Sequence, residues 1–95
     1  MKEIMNMIID FRNSRGWNKT DNPADLVKSI FVESAELLEN FQWSNDNFSM
    51  ESVQEEIADV LMYTLALIHD LDLDVEKLVR NKIEKNKIKY PINSK

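Results

Sequence analysis

Apolar residues recur at helical spacing along most of the chain, and this pattern predicts four helices. Residues 3–13 form the first helix, and we place the others at about residues 23–40, 50–70 and 75–88. Arg15-Gly16 ends the first helix, because glycine suits the left-handed position that often follows a helix. The apolar stripe of this first helix is formed by Ile4, Met7, Ile8 and Phe11.

Residues at the predicted helix ends support these boundaries. Asn22-Pro23 suits a helix start, with asparagine as the N-cap and proline in the first turn. Ser49 is the expected N-cap of the third helix, whereas Asp72 and Asp74 are both suitable for the fourth. Tyr90-Pro91 ends the last helix, because proline cannot continue a helix and disfavours helical backbone in the residue before it.

The composition fits one small all-α domain that spans residues 1–95. The chain has 95 residues, of which 43% are hydrophobic, with only one glycine and two prolines. So few turn-forming residues favour long helices joined by short loops. Helices in a chain of this size leave apolar faces that a monomer cannot cover, so we expect a homo-oligomer.

The chain lacks the sequence features of a secreted, membrane or general nucleic-acid-binding protein. It has no cysteine, no apolar run near the ~20 residues of a membrane span, and no basic-then-apolar leader. The net charge of −5 argues against general nucleic-acid binding. We therefore expect a cytoplasmic protein with neither a membrane nor a nucleic acid as partner.

Charge is distributed unevenly between the body of the chain and its last helix. Residues 1–76 carry five basic and sixteen acidic side chains, whereas residues 77–95 carry seven basic and one acidic. An acidic body could hold a metal ion while the basic tail contacts phosphates. An ordinary solvated basic helix would give the same pattern, so charge alone decides nothing here.

Two pairs of acids stand at helical spacing inside apolar stretches. Glu33 and Glu36 lie on the second predicted helix, and Glu56 and Asp59 lie on the third, so each pair shares one helix face. Acids beside a buried stripe need a divalent cation, an ion-pair partner or contact with water. A Mg²⁺ site and a charged surface paired with Lys28, or with a lysine of another subunit, both fit this spacing, which leaves the choice open.

Further residues have chemistry suited to a nucleoside triphosphate but are also common in ordinary helices. With one glycine the chain cannot form a glycine-rich phosphate loop, so phosphate contacts would need a metal and side chains. Donors that either bind phosphate or are simply solvated are Lys82, Asn86 and Lys89. Aromatic residues that either stack on a base or fill the core are Trp17, Trp43 and Tyr63.

The order of these motifs resembles the MazG-like all-α nucleoside triphosphate pyrophosphohydrolases. That family has E-x-x-E, a spacer and E-x-x-D, which appear here as Glu33-Ser-Ala-Glu36 and Glu56-Ile-Ala-Asp59. The resemblance is greatest to the compact dCTP-pyrophosphatase-like branch and runs from Phe11 to Pro91. The stretches that carry it are Phe11–Trp17, Glu33–Trp43, Glu55–Tyr63 and Lys82–Pro91.

The resemblance implies a four-to-five-helix bundle completed by dimerisation, or by a dimer of dimers, with sites lined by more than one subunit. It implies Mg²⁺-dependent cleavage of a (d)NTP to (d)NMP and pyrophosphate in nucleotide-pool house-cleaning, with Mn²⁺ as a substitute cation. The implied metal ligands are Glu33, Glu36, Glu56 and Asp59, with Glu33 or Glu36 also acting as catalytic base. The implied phosphate contacts are Lys82, Asn86 and Lys89, and the implied base and sugar contacts are Trp17, Trp43 and Tyr63.

Two positions depart from the family pattern. Ile8 stands where the dCTP-preferring members have a base-contacting histidine, so the resemblance does not extend to a preference for cytosine. Ala35 replaces a glycine that is common in the first motif, which is a mild change that leaves the acids in place.

Two other functions remain as alternatives. A non-catalytic helical interaction module would use the acids to bind a basic partner and the aromatics to fill a dimer core. Among enzymes, phosphoribosyl-ATP pyrophosphohydrolase shares the superfamily architecture, but the tryptophans of the expected pocket argue against this alternative. Binding of a nucleotide with Mg²⁺ separates the enzyme from the module.

Overall fold

The computed structural model describes residues 1–92, and within them the chain is entirely helical with no strand. A short 3₁₀ turn, Trp17–Lys19, follows the first helix. The all-α prediction is therefore confirmed, and the four predicted helices lie within two residues of their expected bounds. The helices are α1 (Lys2–Ser14), α2 (Pro23–Glu39), α3 (Met50–Asp70) and α4 (Val75–Lys89).

Side-chain caps explain where three of the helices begin. The Oδ1 atom of Asn22 accepts a hydrogen bond from the backbone N–H of Asp25 at 2.9 Å, which caps α2. Ser49 caps α3 in the same way, as its position before the helix predicts. Asp74 accepts from the backbone N–H of Lys77 and caps α4, which resolves the choice that the sequence leaves open.

Gly16 turns the chain out of α1 in a left-handed conformation, with a φ of 71°. A residue with a Cβ atom is disfavoured there, whereas glycine adopts this conformation without cost. The turn carries the chain through Trp17–Lys19 and on to the start of α2.

Helices α2 and α3 form the main packing unit, and α1 packs on α3. The pair is antiparallel: Leu26 near the start of α2 meets Ala66 near the end of α3 around one cavity. At the other end, Glu39 of α2 and Ser52 of α3 meet around a second cavity. Antiparallel packing of this kind places the middle of each helix, where the two acid pairs lie, side by side.

The hydrophobic core of the single chain is small. Leu26 is 1% exposed and is the most deeply buried large side chain of residues 1–92. Arg12 is also buried, although it is charged, and its partners are described below. The buried apolar residues in this part of the chain are Ile8, Leu26, Val53, Leu65 and Ala66.

Much of the predicted apolar surface stays exposed in the single chain. Of the α1 stripe only Ile8 is buried, because the other stripe residues line a groove beside α3 that is open to solvent. Helix α4 makes no extended contact with α1, α2 or α3, and its apolar residues Leu78, Val79 and Ile83 are exposed. The radius of gyration is 16.1 Å, compared with about 12 Å for a compact domain of this length. None of the described helices is both long enough and apolar enough to cross a membrane.

Candidate functional site

An acid cluster forms where the middles of α2 and α3 pack together. Glu33 from α2 and Glu56 and Asp59 from α3 each offer a carboxylate oxygen, and these oxygens lie within 4.8 Å of one another. Each of the three side chains is half-buried. The i, i+3 spacing on α3 turns Glu56 and Asp59 toward α2 together, as the sequence predicts.

Glu36 joins this group through its electrostatic effect on the other acids. Burial, followed by a hydrogen bond with Glu36 and repulsion from its charge, raises the pKa of Glu33 to about 7. The pKa of Glu56 is raised by the same causes, burial first and then the charge of Glu36. One oxygen of Glu33 and one of Glu56, Oε2 in each case, are buried without a hydrogen-bond donor.

No basic side chain neutralises the acid cluster within residues 1–92. The ion pairs there involve Arg12 and two lysines, and neither lysine contacts one of the four acids. Lys28, the partner suggested by sequence, instead lies 3.9 Å from Asp25 on the exposed surface. A half-buried, all-oxygen group without a counter-charge is a donor set suited to Mg²⁺ or another hard divalent cation.

A cavity of about 270 Å³ opens beside the acid cluster between α1, α2 and α3. Trp17 and Tyr63 line it, which brings together two of the three aromatic residues proposed for the base pocket. Burial raises the pKa of Tyr63, and the charges of Glu33, Asp59 and Asp21 raise it further. The lining residues are Ile8, Phe11, Arg12, Trp17, Asp21, Leu26, Asp59, Met62, Tyr63 and Ala66.

Trp17 is fixed at the edge of this cavity by its neighbours on α1. Its ring meets the Phe11 ring edge to face, with 5.5 Å between the centroids and 77° between the planes. The Arg15 guanidinium lies over the Phe11 ring, 3.8 Å from its centroid. The contact explains how a tryptophan that is 44% exposed keeps a defined position.

A second, polar cavity of about 290 Å³ lies on the other side of the acid cluster. Glu36 and Glu56 line it, together with Glu39, Asn40 and Ser52. Sequence reasoning missed Glu39, although its spacing of three from Glu36 repeats the signal that identified the acid pairs. The acid cluster thus separates a largely apolar cavity from an acidic one.

The remaining predicted site residues lie away from the two cavities in the single chain. Trp43 follows α2, is 89% exposed and lines neither cavity. Lys82 and Lys89 are exposed on α4 and Asn86 is half-buried, and this helix does not pack on α2 or α3. The structure therefore brings the acids, Trp17 and Tyr63 together, and leaves the α4 residues and Trp43 apart from them.

An ion-pair network that sequence reasoning missed lies in the wall of the first cavity. Arg12 donates from Nη1 and Nη2 to the two carboxylate oxygens of Asp70, both at 3.0 Å, and from Nη2 to Asp21 at 3.2 Å. The hydrogen bond to Asp70 is the main cause that raises the pKa of Arg12. The sequence signal for this network is Arg12 itself, a charged residue directly after Phe11 of the apolar stripe of α1.

Comparison with known proteins identifies relatives of this chain. Residues 28–95 match the MazG-like family. The human protein named dCTP pyrophosphatase 1 is 29% identical over 100 residues, and the mouse protein of that name is 28% identical over 102 residues. These alignments cover 96% and 98% of this chain but 59% and 60% of the relatives, so the chain spans about three-fifths of their length.

A solved structure has the same fold over nearly its whole length. The crystal structure of a pyrophosphatase from Archaeoglobus fulgidus superposes with a TM-score of 0.84 at 41% sequence identity. The superposition covers 96% of this chain and 92% of that one. With most of its length matched by one family and its helices superposed on this structure, the chain belongs to the MazG-like family.

Proposed function

We propose that the chain is a Mg²⁺-dependent nucleoside triphosphate pyrophosphohydrolase, which converts a (d)NTP to a (d)NMP and pyrophosphate. The observation that carries the proposal is the acid cluster of Glu33, Glu56 and Asp59, whose oxygens lie within 4.8 Å of one another. The relatives named as pyrophosphatases support the same reaction class. The biological role that we propose is nucleotide-pool house-cleaning in the cytoplasm.

The four acids hold the cation in this proposal. The buried Oε2 atoms of Glu33 and Glu56 have no donor in residues 1–92, and a divalent cation would satisfy both. Asp59 adds an oxygen from the same helix as Glu56, and Glu36 adds one from the same helix as Glu33. All four ligands are hard oxygen donors, so Mg²⁺ fits this site, with Mn²⁺ as a substitute.

Bound Mg²⁺ supplies charge neutralisation of the triphosphate and lowers the pKa of water. Glu33 is the proposed general base, with Glu36 as the alternative, because each carboxylate would lie beside the water that the cation orients. The water oxygen bonds to the α-phosphorus while the bond from that phosphorus to the bridging oxygen of the β-phosphate breaks. The proton of the water goes to the Glu33 carboxylate, and pyrophosphate leaves.

Helix α4 supplies the proposed phosphate contacts. Lys82 and Lys89 present ammonium donors and Asn86 presents an amide donor along this helix, whose last turn is basic. Since α4 does not pack on the acid-bearing helices of its own chain, we propose that these residues act on the site of a second copy. The assembly is a homodimer or a homotetramer, which would also cover apolar side chains such as Phe31, at 75% exposure.

The base and sugar lie in the apolar cavity in this proposal. Trp17 stacks on the base at one wall, and Tyr63 lies between the base and the acid cluster. Trp43 completes the pocket from a neighbouring copy, because it is exposed and far from this cavity in its own chain.

Pyrophosphate release from a panel of canonical and modified (d)NTPs tests the proposal. We expect release from at least one nucleotide with Mg²⁺ and none with EDTA. Glu36→Gln and Asp59→Asn should abolish release while leaving the helical circular dichroism signal unchanged. Release that survives EDTA, or that survives both substitutions, would show that the metal assignment is wrong.

The exposed apolar surface of α1 and α4 also favours a second candidate, a non-catalytic interaction module. Thermal melts separate the two candidates, because a ligand that binds only the folded chain raises the melting temperature. A shift with Mg²⁺ and a non-hydrolysable dNTP supports the enzyme, and no shift with any nucleotide supports the module.

A further inference from the structure

The carboxylate of Asp21 is held at the wall of the apolar cavity by a buried arginine. Its Oδ2 atom accepts a hydrogen bond from Nη2 of Arg12 at 3.2 Å. Arg12 is itself fixed by two hydrogen bonds to Asp70, both at 3.0 Å, so it cannot swing away without breaking them. The side chain of Arg12 is 6% exposed and that of Asp21 is 28% exposed, which leaves Asp21 open toward the cavity.

One oxygen of Asp21 is available to a ligand. Within residues 1–92 the Oδ2 atom has Arg12 as its donor, and no protein group donates to Oδ1. The single positive charge of Arg12 is shared between two carboxylates, Asp21 and Asp70. This corner of the cavity therefore keeps an excess negative charge and an unused acceptor, and it attracts N–H donors.

The other walls offer a base little to recognise. Ile8 lines the cavity with an apolar side chain, as do Leu26 and Met62. Among the polar lining residues, Asp59 belongs to the acid cluster, and Tyr63 lies between the base and that cluster in the proposed function. Asp21 is the carboxylate in this lining that the proposed metal site does not use.

We propose that Asp21, positioned by Arg12 and Asp70, accepts a hydrogen bond from the exocyclic amino group of the substrate's base. This inference rests on the proposed function, since it concerns the nucleotide that the enzyme hydrolyses. A base with a carbonyl oxygen at the same position would place two acceptors against each other, and a site built around a hydrogen bond rejects such an analogue. The chain should therefore prefer amino-bearing bases over their carbonyl-bearing counterparts.

Matched nucleotide pairs test this preference without a change of ring size. Cytosine has an amino group where uracil has a carbonyl, and the adjacent ring nitrogen is unprotonated in cytosine and protonated in uracil; adenine and hypoxanthine differ in the same way. We expect kcat/KM for dCTP to exceed that for dUTP by roughly 10- to 100-fold. If the chain hydrolyses purine nucleotides, kcat/KM for dATP should likewise exceed that for dITP.

Asp21→Asn should bring the dCTP to dUTP ratio close to one, because an amide can accept from an amino group or donate to a carbonyl. Asp21→Ala, which removes the acceptor altogether, should also bring the ratio close to one by slowing dCTP hydrolysis. Asp10→Asn is the matched control: it removes the same charge from an exposed position on α1 and should leave the ratio unchanged. Thermal melts of each variant separate loss of discrimination from loss of folding.

The outcomes distinguish this inference from the proposed function. Pyrophosphate release by the unsubstituted chain with no preference within either pair would overturn the role of Asp21 and leave the proposed function intact. A preference that persists in both Asp21 variants would also overturn that role. Absence of release from every nucleotide would overturn the proposed function and this inference together.

Discussion

Arg12 and Asp70 lie 58 residues apart in the sequence and form a two-pronged ion pair, with both hydrogen bonds at 3.0 Å. The pair joins the end of α1 to the end of α3, and the contact of Arg12 with Asp21 adds the loop before α2. A buried guanidinium is tolerated because these two carboxylates accept from its Nη1 and Nη2 atoms, although its Nε atom has no hydrogen-bond partner within residues 1–92. The network therefore fixes the wall of the apolar cavity as well as the packing of α1.

Asp70→Asn should destabilise the chain because it removes one charged partner of a buried arginine. We expect the free energy of unfolding to fall by about 1–3 kcal/mol in denaturant titrations. Asp46→Asn is the control, since Asp46 is exposed in the loop between α2 and α3, and its substitution should change stability by less than about 0.5 kcal/mol. Equal effects of the two substitutions would show that the ion pair contributes little.

Glu56→Gln should lower pyrophosphate release and divalent cation binding, whereas Glu55→Gln should change neither. Glu56 lies in the acid cluster, and Glu55 is exposed on the neighbouring face of α3. We expect a loss of roughly 100-fold or more in kcat/KM for Glu56→Gln, because a carboxylate ligand of the cation is removed. Isothermal titration with Mn²⁺ measures cation binding independently of catalysis. An effect of Glu55→Gln as large as that of Glu56→Gln would contradict the assignment.

The metal-free chain should become less stable as the pH rises from 5 to 8. The pKa of Glu33 is raised from 4.5 to about 7, so the folded chain binds more protons than the unfolded chain between these two values. The free energy of unfolding therefore falls as the pH rises through this window. Thermal melts in EDTA at a series of pH values measure this fall in stability. Glu33→Gln should make stability depend less on pH, and an equally steep dependence in that variant would assign the effect to other groups.

Mixing two inactive variants tests whether α4 serves the site of a second copy. One variant carries Glu56→Gln, and the other carries both Lys82→Ala and Lys89→Ala. Each variant alone should lose most of its activity. If the acids and α4 of one site come from different copies, a mixed dimer has one intact site, and an equal mixture recovers roughly a quarter of full activity. No recovery after the copies have exchanged would place both parts of the site in one chain.

The helix boundaries and the acid pairs could be predicted because both depend on local spacing. Asn22 and Ser49 are caps that act within three residues, and the i, i+3 acids face one way on any straight helix. The sequence could not choose between Asp72 and Asp74, because both precede α4 and both are suitable caps. The backbone decides: Asp72 has a φ of 55° and Asp74 is extended.

The partners of buried charges and the extent of the core could not be predicted in this way. Asp21 and Asp70 meet Arg12 because the chain turns at Gly16 and α3 packs on α1. No local pattern encodes that packing. Leu78, Val79 and Ile83 recur at helical spacing on α4, which is typical of a core face, but this spacing does not say which molecule would cover that face. Residues such as Leu78 and Ile83 are exposed because no helix of the same chain packs on them.

In the proposed assembly, the stability of α4 should depend on protein concentration. Helix α4 has 15 residues, no buried side chain and no extended contact with α1–α3, and an isolated helix of this length is marginal in water. On dilution below the dissociation constant of the proposed assembly, this helix should fray while α2 and α3 keep the acids together. Specific activity should then decline on dilution before the cation site is lost, so that assembly itself acts as a switch.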